Sequence, residues 1–192
     1  MVKPRIILAS ASPRRQQLLK QIGLDFEVIE SCAPEDIGGA CAARVEALAL
    51  RKARAVRAKI GGEAVIIAAD TLVSIDGRVL EKPACANEAY EMLKTLQGRK
   101  HTVFTGVAIL ATGREVGFVE AADVYFRPLN DAEIAAYIKT GEPFDKAGAY
   151  GIQGHGATLV SRIEGDFYAV MGLPLARLWV ALKEIIAKTE IL

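Results

Sequence analysis

Arg14 and Arg15 stand where a helix is expected to begin, directly behind a short apolar strand, Ile6 to Leu8, and the run Ser10-Ala11-Ser12-Pro13. Ser12 reads as an N-cap and Pro13 as the first helical residue. Both cations then fall in the first turn, at the positive end of the helix dipole, where carboxylates ordinarily sit. A bound anion would offset that placement. Backbone N–H groups of the first turn, the hydroxyls of Ser10 and Ser12 and two guanidiniums together make a phosphate cradle without a glycine-rich P-loop. An ordinary capped surface helix, with both arginines turned to water, fits the same residues.

Asp70 interrupts a run of strand-forming residues, a position that disfavours aspartate. At the end of a buried strand a carboxylate can hold a divalent cation or orient a water. It can equally cap a turn or pair with Lys82. Glu35, in a polar loop, gains meaning only as a second carboxylate near Asp70. Lys52 lies in Arg51-Lys52-Ala53-Arg54, a basic helix face that solubility alone explains. Lys82 precedes Pro83, which keeps it out of a helix and aims it from a short connection. Gln153 sits in Gly148-Ala149-Tyr150-Gly151-Ile152-Gln153-Gly154, which lacks the strand, spacing and helix of a dinucleotide fingerprint. Its amide has the donor and acceptors to read a base edge. A cationic pocket, a carboxylate and an amide reader suit a metal-assisted reaction on a nucleotide phosphate, without separating hydrolysis from transfer.

The elements that must carry these groups alternate between strand and helix. The first strand and a helix from Pro13 to Ile22, stopped by Gly23, lead to a second strand from Phe26 to Ile29, a βαβ opening. A loop from Ser31 to Gly39 precedes an Ala-rich helix from Ala40 to Lys59, with Val45, Leu48 and Val56 on its buried stripe. Ala64 to Ala69 is apolar throughout, as in a central strand covered on both faces. Leu72 to Ile75, Asp76-Gly77 and Arg78 to Leu80 form a hairpin signal. A helix from Asn87 to Leu96 follows. Thr102 to Leu110 and Glu115 to Phe126 then read as antiparallel strands around Ala111-Thr112-Gly113. After a helix from Asp131 to Thr140, residues 141–156 hold five glycines, Asp145, Lys146 and Gln153 in what reads as a long functional loop. A strand from Thr158 to Ile163 and a helix from near Pro174 complete an α/β chain.

The 192 residues, 52% hydrophobic and 24% charged, suffice for one domain with a real core. A net charge of +1 argues against a general nucleic-acid or membrane surface and makes any basic site local. The three cysteines, Cys32, Cys41 and Cys85, lack a C-x-x-C pair and read as reduced thiols of a cytoplasmic protein. His101 and His155 read as strand-edge or loop residues, and any metal would prefer oxygen ligands. The apolar stretch after Lys3-Pro4-Arg5 is too short for a signal core, and no segment approaches the roughly 20 apolar residues of a membrane span.

Five blocks now stand in order: Leu8-Ala9-Ser10-Ala11-Ser12-Pro13-Arg14-Arg15, Ala69-Asp70-Thr71, Glu81-Lys82-Pro83, the run from Asp145 to Gly154, and Gly172-Leu173-Pro174-Leu175. In these the chain resembles the Maf family from end to end. The resemblance implies a nucleoside triphosphate pyrophosphatase of one domain, residues 1–192. Its implied fold is a mixed twisted sheet flanked by helices, similar to the inosine triphosphatase group, with two lobes and a central cleft. Lys146 and Gln153 resemble the branch acting on dTTP and UTP; a sister branch takes 7-methyl-GTP.

Carried over by position, Asp70 matches the proton acceptor, and Arg14, Thr71 and Gln153 match positions tied to substrate choice. Ser10, Arg15, Glu35, Lys52 and Lys82 match other cleft residues. The loop around Glu35 reads as shorter than in relatives, which leaves Asp36 as its alternative. The resemblance further implies Mg²⁺ or Mn²⁺ held by Asp70 and Glu35, attack of water on the α-phosphorus, and pyrophosphate as leaving group. Arg14, Arg15, Lys52 and Lys82 would neutralise that leaving group. The partner is a small-molecule nucleoside triphosphate, with neither nucleic acid nor membrane, and a homodimer is a family-level expectation. Still open are an enzyme for methylated or deaminated purine triphosphates and a nucleotide-sensing regulator of septum formation without turnover. Pool cleansing and restraint of division likewise both stand as roles.

Overall fold

A computed structural model describes the backbone of residues 4–189; Lys3, part of the basic start, lies outside them. The strands are β1 (Ile6–Leu8), β2 (Glu27–Val28), β3 (Val65–Ile75), β4 (Arg78–Leu80), β5 (Lys100–Ala111), β6 (Arg114–Phe126) and β7 (Val160–Glu164). The helices are α1 (Pro13–Gln21), α2 (Cys41–Lys59), α3 (Ala86–Leu96), α4 (Asp131–Lys139), α5 (Phe167–Met171) and α6 (Leu175–Thr189). The strands form one mixed sheet in the order β2-β1-β3-β5-β6-β7, with β4 on β3. β1 runs parallel to β2 and to β3, as a βαβ opening requires, whereas β3 and β4, and β6 and β7, are antiparallel.

Local signals account for the element ends. Ser12 caps α1 by accepting from Arg15 N–H at 3.5 Å, Pro13 opens the helix, and no acid stands in its first turn. Asp76 (φ 51°) and Gly77 (φ 76°) both take the left-handed conformation that a two-residue hairpin turn demands. Asn130 and Glu133 form a reciprocal capping box on α4.

Two readings need correction, and one element was not foreseen. Asp70 does not break a strand: β3 runs without interruption from Val65 to Ile75 through it. Residues 141–156 are not an open loop but contain tight 3-10 turns at Glu142–Asp145 and Ala147–Ala149, with a third at Gly154–Leu159. The short α5 carries no apolar periodicity long enough to announce it.

The chain divides into two compact units. The first takes residues up to Asp70, 105–120 and from Gly172 on; the second takes 71–104 and 121–171. In the first, Ala49, Ala53 and Val56 of α2 pack with Ile7, Ile66, Ala68, Ala108 and Leu110 from β1, β3 and β5. In the second, Ala89, Leu93 and Leu96 of α3 and Ile134 and Tyr137 of α4 pack on Val73, Ile75, Val103, Val124 and Phe126.

His101 lies inside this second core, 2% exposed on β5, not at a strand edge. His155 is exposed, in the turn where it was expected. His101 Nε2 is 2.7 Å from the Tyr150 hydroxyl, and the His101, Phe126 and Tyr150 rings meet edge to face. Burial pushes its imidazole down to about 4 from 6.5, against an opposing pull from Asp123. Between those values the unfolded chain binds the proton that the folded one refuses. Stability is therefore full above pH 6.5 and falls as pH drops through 4, by about 3 kcal/mol from this group. Denaturant titrations at pH 7 and pH 4 should show that loss, and His101→Phe should remove this part of the slope.

Candidate active site

Lys52 organises the site. The side chains of α2 that turn inward are Val45, Leu48, Ala49, Lys52, Ala53 and Val56, so Lys52 occupies a position on the apolar stripe itself. Its stem is buried, and its ammonium donates to Asp70 Oδ1 at 2.6 Å and pairs with Glu35 Oε1 at 2.6 Å. The side chains of Lys52 and Asp70 are 11% and 13% exposed, that of Glu35 61%. A buried ammonium thus answers the buried carboxylate of β3, which lets the strand continue through position 70.

This arrangement bears on three readings. Lys52 is not a solubility residue; its neighbours are, since Arg51 pairs with Asp36 at 2.7 Å and Arg54 with Glu115 at 2.6 Å on the outer face. Asp70 pairs with Lys52, not with Lys82. Glu35 and not Asp36 reaches the Asp70 side, because Asp36 is drawn off by Arg51.

The α1 end joins the same cluster. Arg15 donates through Nε to the Gly172 carbonyl at 2.8 Å and through one terminal nitrogen to Ser10 Oγ at 3.2 Å. Ser10 Oγ also accepts from Ser12 N–H at 3.2 Å. Burial pushes the Arg15 guanidinium down to about 10; Asp70 and Glu35 draw it up, and Arg14 presses it down. It therefore stays a cation at neutral pH. Arg14, Glu35 and Asp70 are thus the charges that act on the Arg15 guanidinium. The Gly172 carbonyl had no assigned role; its only signal was the Gly172-Leu173-Pro174-Leu175 block.

Thr71, Lys82 and Gln153 belong to the second unit. Thr71 follows Asp70 on β3, half-buried; Lys82 is exposed after β4; Gln153 is half-buried immediately before the Gly154–Leu159 turn.

The donor set suits a divalent cation. Asp70 and Glu35, both paired with the Lys52 ammonium, offer the oxygen ligands that Mg²⁺ prefers, since Mg²⁺ takes one or two protein carboxylates and completes its shell with phosphate oxygens and water. Among the described residues no three His, Cys, Asp or Glu side chains gather as a ligand group, so further ligands would come from outside such a cluster.

Comparison with known proteins covers nearly the whole chain. The chain matches the family described as Maf-like protein over residues 5–185. It belongs to the Maf family. A relative from Carboxydothermus hydrogenoformans, named dTTP/UTP pyrophosphatase, is 52% identical over 94% of this chain and 98% of its own length. Relatives of the same name from Bacillus cytotoxicus and Thermococcus gammatolerans are 50% and 49% identical, over 94% and 91% of this chain and 95% and 93% of theirs. Among solved structures, a nucleoside-triphosphatase, dITP/XTP pyrophosphatase, from Mycobacterium abscessus is 16% identical with a TM-score of 0.43, over 96% of this Maf-family chain and 97% of its own. No helix among the described residues is long and apolar enough to cross a membrane.

Proposed function

We propose that this chain is a nucleoside triphosphate pyrophosphatase that hydrolyses dTTP and UTP to the monophosphate and pyrophosphate, as a single functional domain. The observation that carries the reading is the acid pair Asp70 and Glu35, gathered on one ammonium beside the Arg15 guanidinium. That cluster stands in a chain about half identical to proteins named for this activity.

Asp70 accepts the proton of the attacking water, whose oxygen forms the new bond to the α-phosphorus as the bond to the β-phosphate bridging oxygen breaks. Asp70 and Glu35 would hold a divalent cation, Mg²⁺ or Mn²⁺, which when bound polarises the phosphate oxygens. Arg15, fixed by Gly172 and Ser10, offers a pre-oriented cation to the charge growing on pyrophosphate. Lys52 would help neutralise the same charge, as the family resemblance implies. The remaining roles come from the family resemblance: Arg14, Thr71 and Gln153 in the choice of nucleotide, Lys82 in neutralising pyrophosphate. The protein is taken to act on free nucleotides in the cytoplasm, as a homodimer.

The test is a panel of dTTP, UTP, 7-methyl-GTP and ITP with the purified protein and Mg²⁺ or Mn²⁺, scored for pyrophosphate against orthophosphate. Pyrophosphate from dTTP and UTP at the highest kcat/KM is the expected result. Preference for 7-methyl-GTP or ITP would move the protein to the purine enzymes, and tight binding without product would mark a sensor.

A further inference from the structure

Two side chains of the second unit, outside the catalytic cluster, hold the segment that carries Gln153. Tyr137, buried on α4, accepts a hydrogen bond from Gly151 N–H at 3.1 Å and shares another with Glu142. The Glu142 carboxylate accepts from His155 N–H at 2.9 Å through Oε1 and from Gly156 N–H at 3.1 Å through Oε2. Its backbone carbonyl accepts from Lys146 Nζ at 2.6 Å. Gln153 lies midway between the Gly151 and His155 anchors.

The glycines of the segment record the same closeness. A Cβ at Gly154, where φ is +63°, would stand 2.4 Å from Glu142 Oε1. One at Gly156 would stand 2.0 Å from the Gly151 carbonyl oxygen and 2.9 Å from the Tyr137 hydroxyl. A larger residue at Gly154 would push the Glu142 carboxylate aside, and one at Gly156 would meet the Gly151 backbone. Burial raises the Glu142 carboxyl, but the N–H groups of His155 and Gly156 and the Tyr137 hydroxyl outweigh it and hold it below the usual carboxylate range. The carboxylate is thus a charged acceptor, and its hydrogen bonds are of the stronger, charge-assisted kind.

We infer that Tyr137 and Glu142 are positioning residues for nucleotide choice, fixing the backbone on both sides of Gln153 so that its amide meets a base edge in one orientation. A side-chain amide has its donor and acceptors on a freely turning bond, and it discriminates only when the backbone beneath it is fixed. The inference rests on the reading of Gln153 as the base reader in a pyrimidine nucleotide pyrophosphatase. Neither residue touches substrate in this account.

The experiment uses the full chain with Tyr137→Phe, Glu142→Gln and Gln153→Ala, each alone, and the Glu142→Gln/Gln153→Ala double variant. For UTP and ITP, kcat and KM are measured separately, and amide exchange is followed at Gly151, His155 and Gly156. The expected result for Tyr137→Phe and Glu142→Gln is kcat for UTP within about threefold of the parent, with KM raised and UTP over ITP discrimination narrowed by about tenfold. Exchange at the three amides should accelerate. In the Gln153→Ala background, Glu142→Gln should leave discrimination unchanged, because its effect passes through that amide.

Discrimination within twofold of the parent despite faster exchange would overturn the inference, as would unchanged exchange. Equal loss of kcat for both nucleotides would mean a structural role only. If Glu142→Gln fails to fold, the milder Tyr137→Phe decides by the same criteria. Failure of the functional reading is distinguishable, since it shows in the unmodified protein as absence of pyrophosphate from UTP.

Discussion

Asp70→Asn should lower pyrophosphate release from UTP by about a thousandfold or more while leaving the protein folded. Removing a positioned general base typically loses a factor of about 10²–10⁴, and here the same change also removes one of the two carboxylates proposed to hold the cation. The fold should tolerate it. Asparagine keeps the size of the side chain, and the Lys52 ammonium retains Glu35 at 2.6 Å, so it is not left as a buried unpaired charge. The loss in stability should stay within about 1–3 kcal/mol, that of a hydrogen bond to a charged group. Steady-state kinetics beside a denaturant titration separate the two effects. Undiminished pyrophosphate release by the variant would refute the assignment of Asp70.

Gly106→Ala should lower stability and activity together. Gly106 lies on β5, and a Cβ there would stand 2.4 Å from both the backbone carbon and oxygen of Val45 and 2.7 Å from Glu46 N. The strand and the first turns of α2 therefore touch backbone to backbone. One methyl has no flexible side chain to push aside, so the helix itself must shift, and overpacking of this kind costs about 1–3 kcal/mol or more. Lys52 lies two turns further along the same helix, so the shift should be felt where its ammonium meets Asp70. The expected result is a lower midpoint of unfolding and a lower kcat together. Gly61→Ala, with no atom within 4 Å of the added carbon, should change stability by less than about 0.5 kcal/mol. Equal midpoints for the two variants would show that the helix can move away at little cost.

Features written in a few adjacent residues were legible. Ser12-Pro13 announced the start of α1, and Asp76-Gly77 announced the hairpin, because cap and turn geometry depend on local backbone chemistry. The role of Lys52 was not legible from its own neighbourhood. Arg51 and Arg54 on either side pair with Asp36 and Glu115 on the outer face, and residue type does not separate Lys52 from them. Its distinction lies in partners 17 and 18 residues away in the chain, Glu35 and Asp70. A trace was present in the helical spacing, since position 52 falls four residues from both Leu48 and Val56 on the buried stripe. Asp70 stands out in the sequence as a carboxylate within a strand, but its neutralisation by a distant lysine, which keeps β3 whole, leaves no local sign. The contacts of Glu142 were not legible, because two of them go to backbone N–H groups of glycine-rich chain, which leave no side-chain pattern to read.

The shared ammonium makes Lys52, Glu35 and Asp70 thermodynamically inseparable. Whatever is measured by deleting one of them includes the response of the other two, which must then find new neighbours. Free energies from the three single replacements should therefore sum to more than the triple replacement loses. Only a complete set of single, double and triple variants can apportion what each contributes.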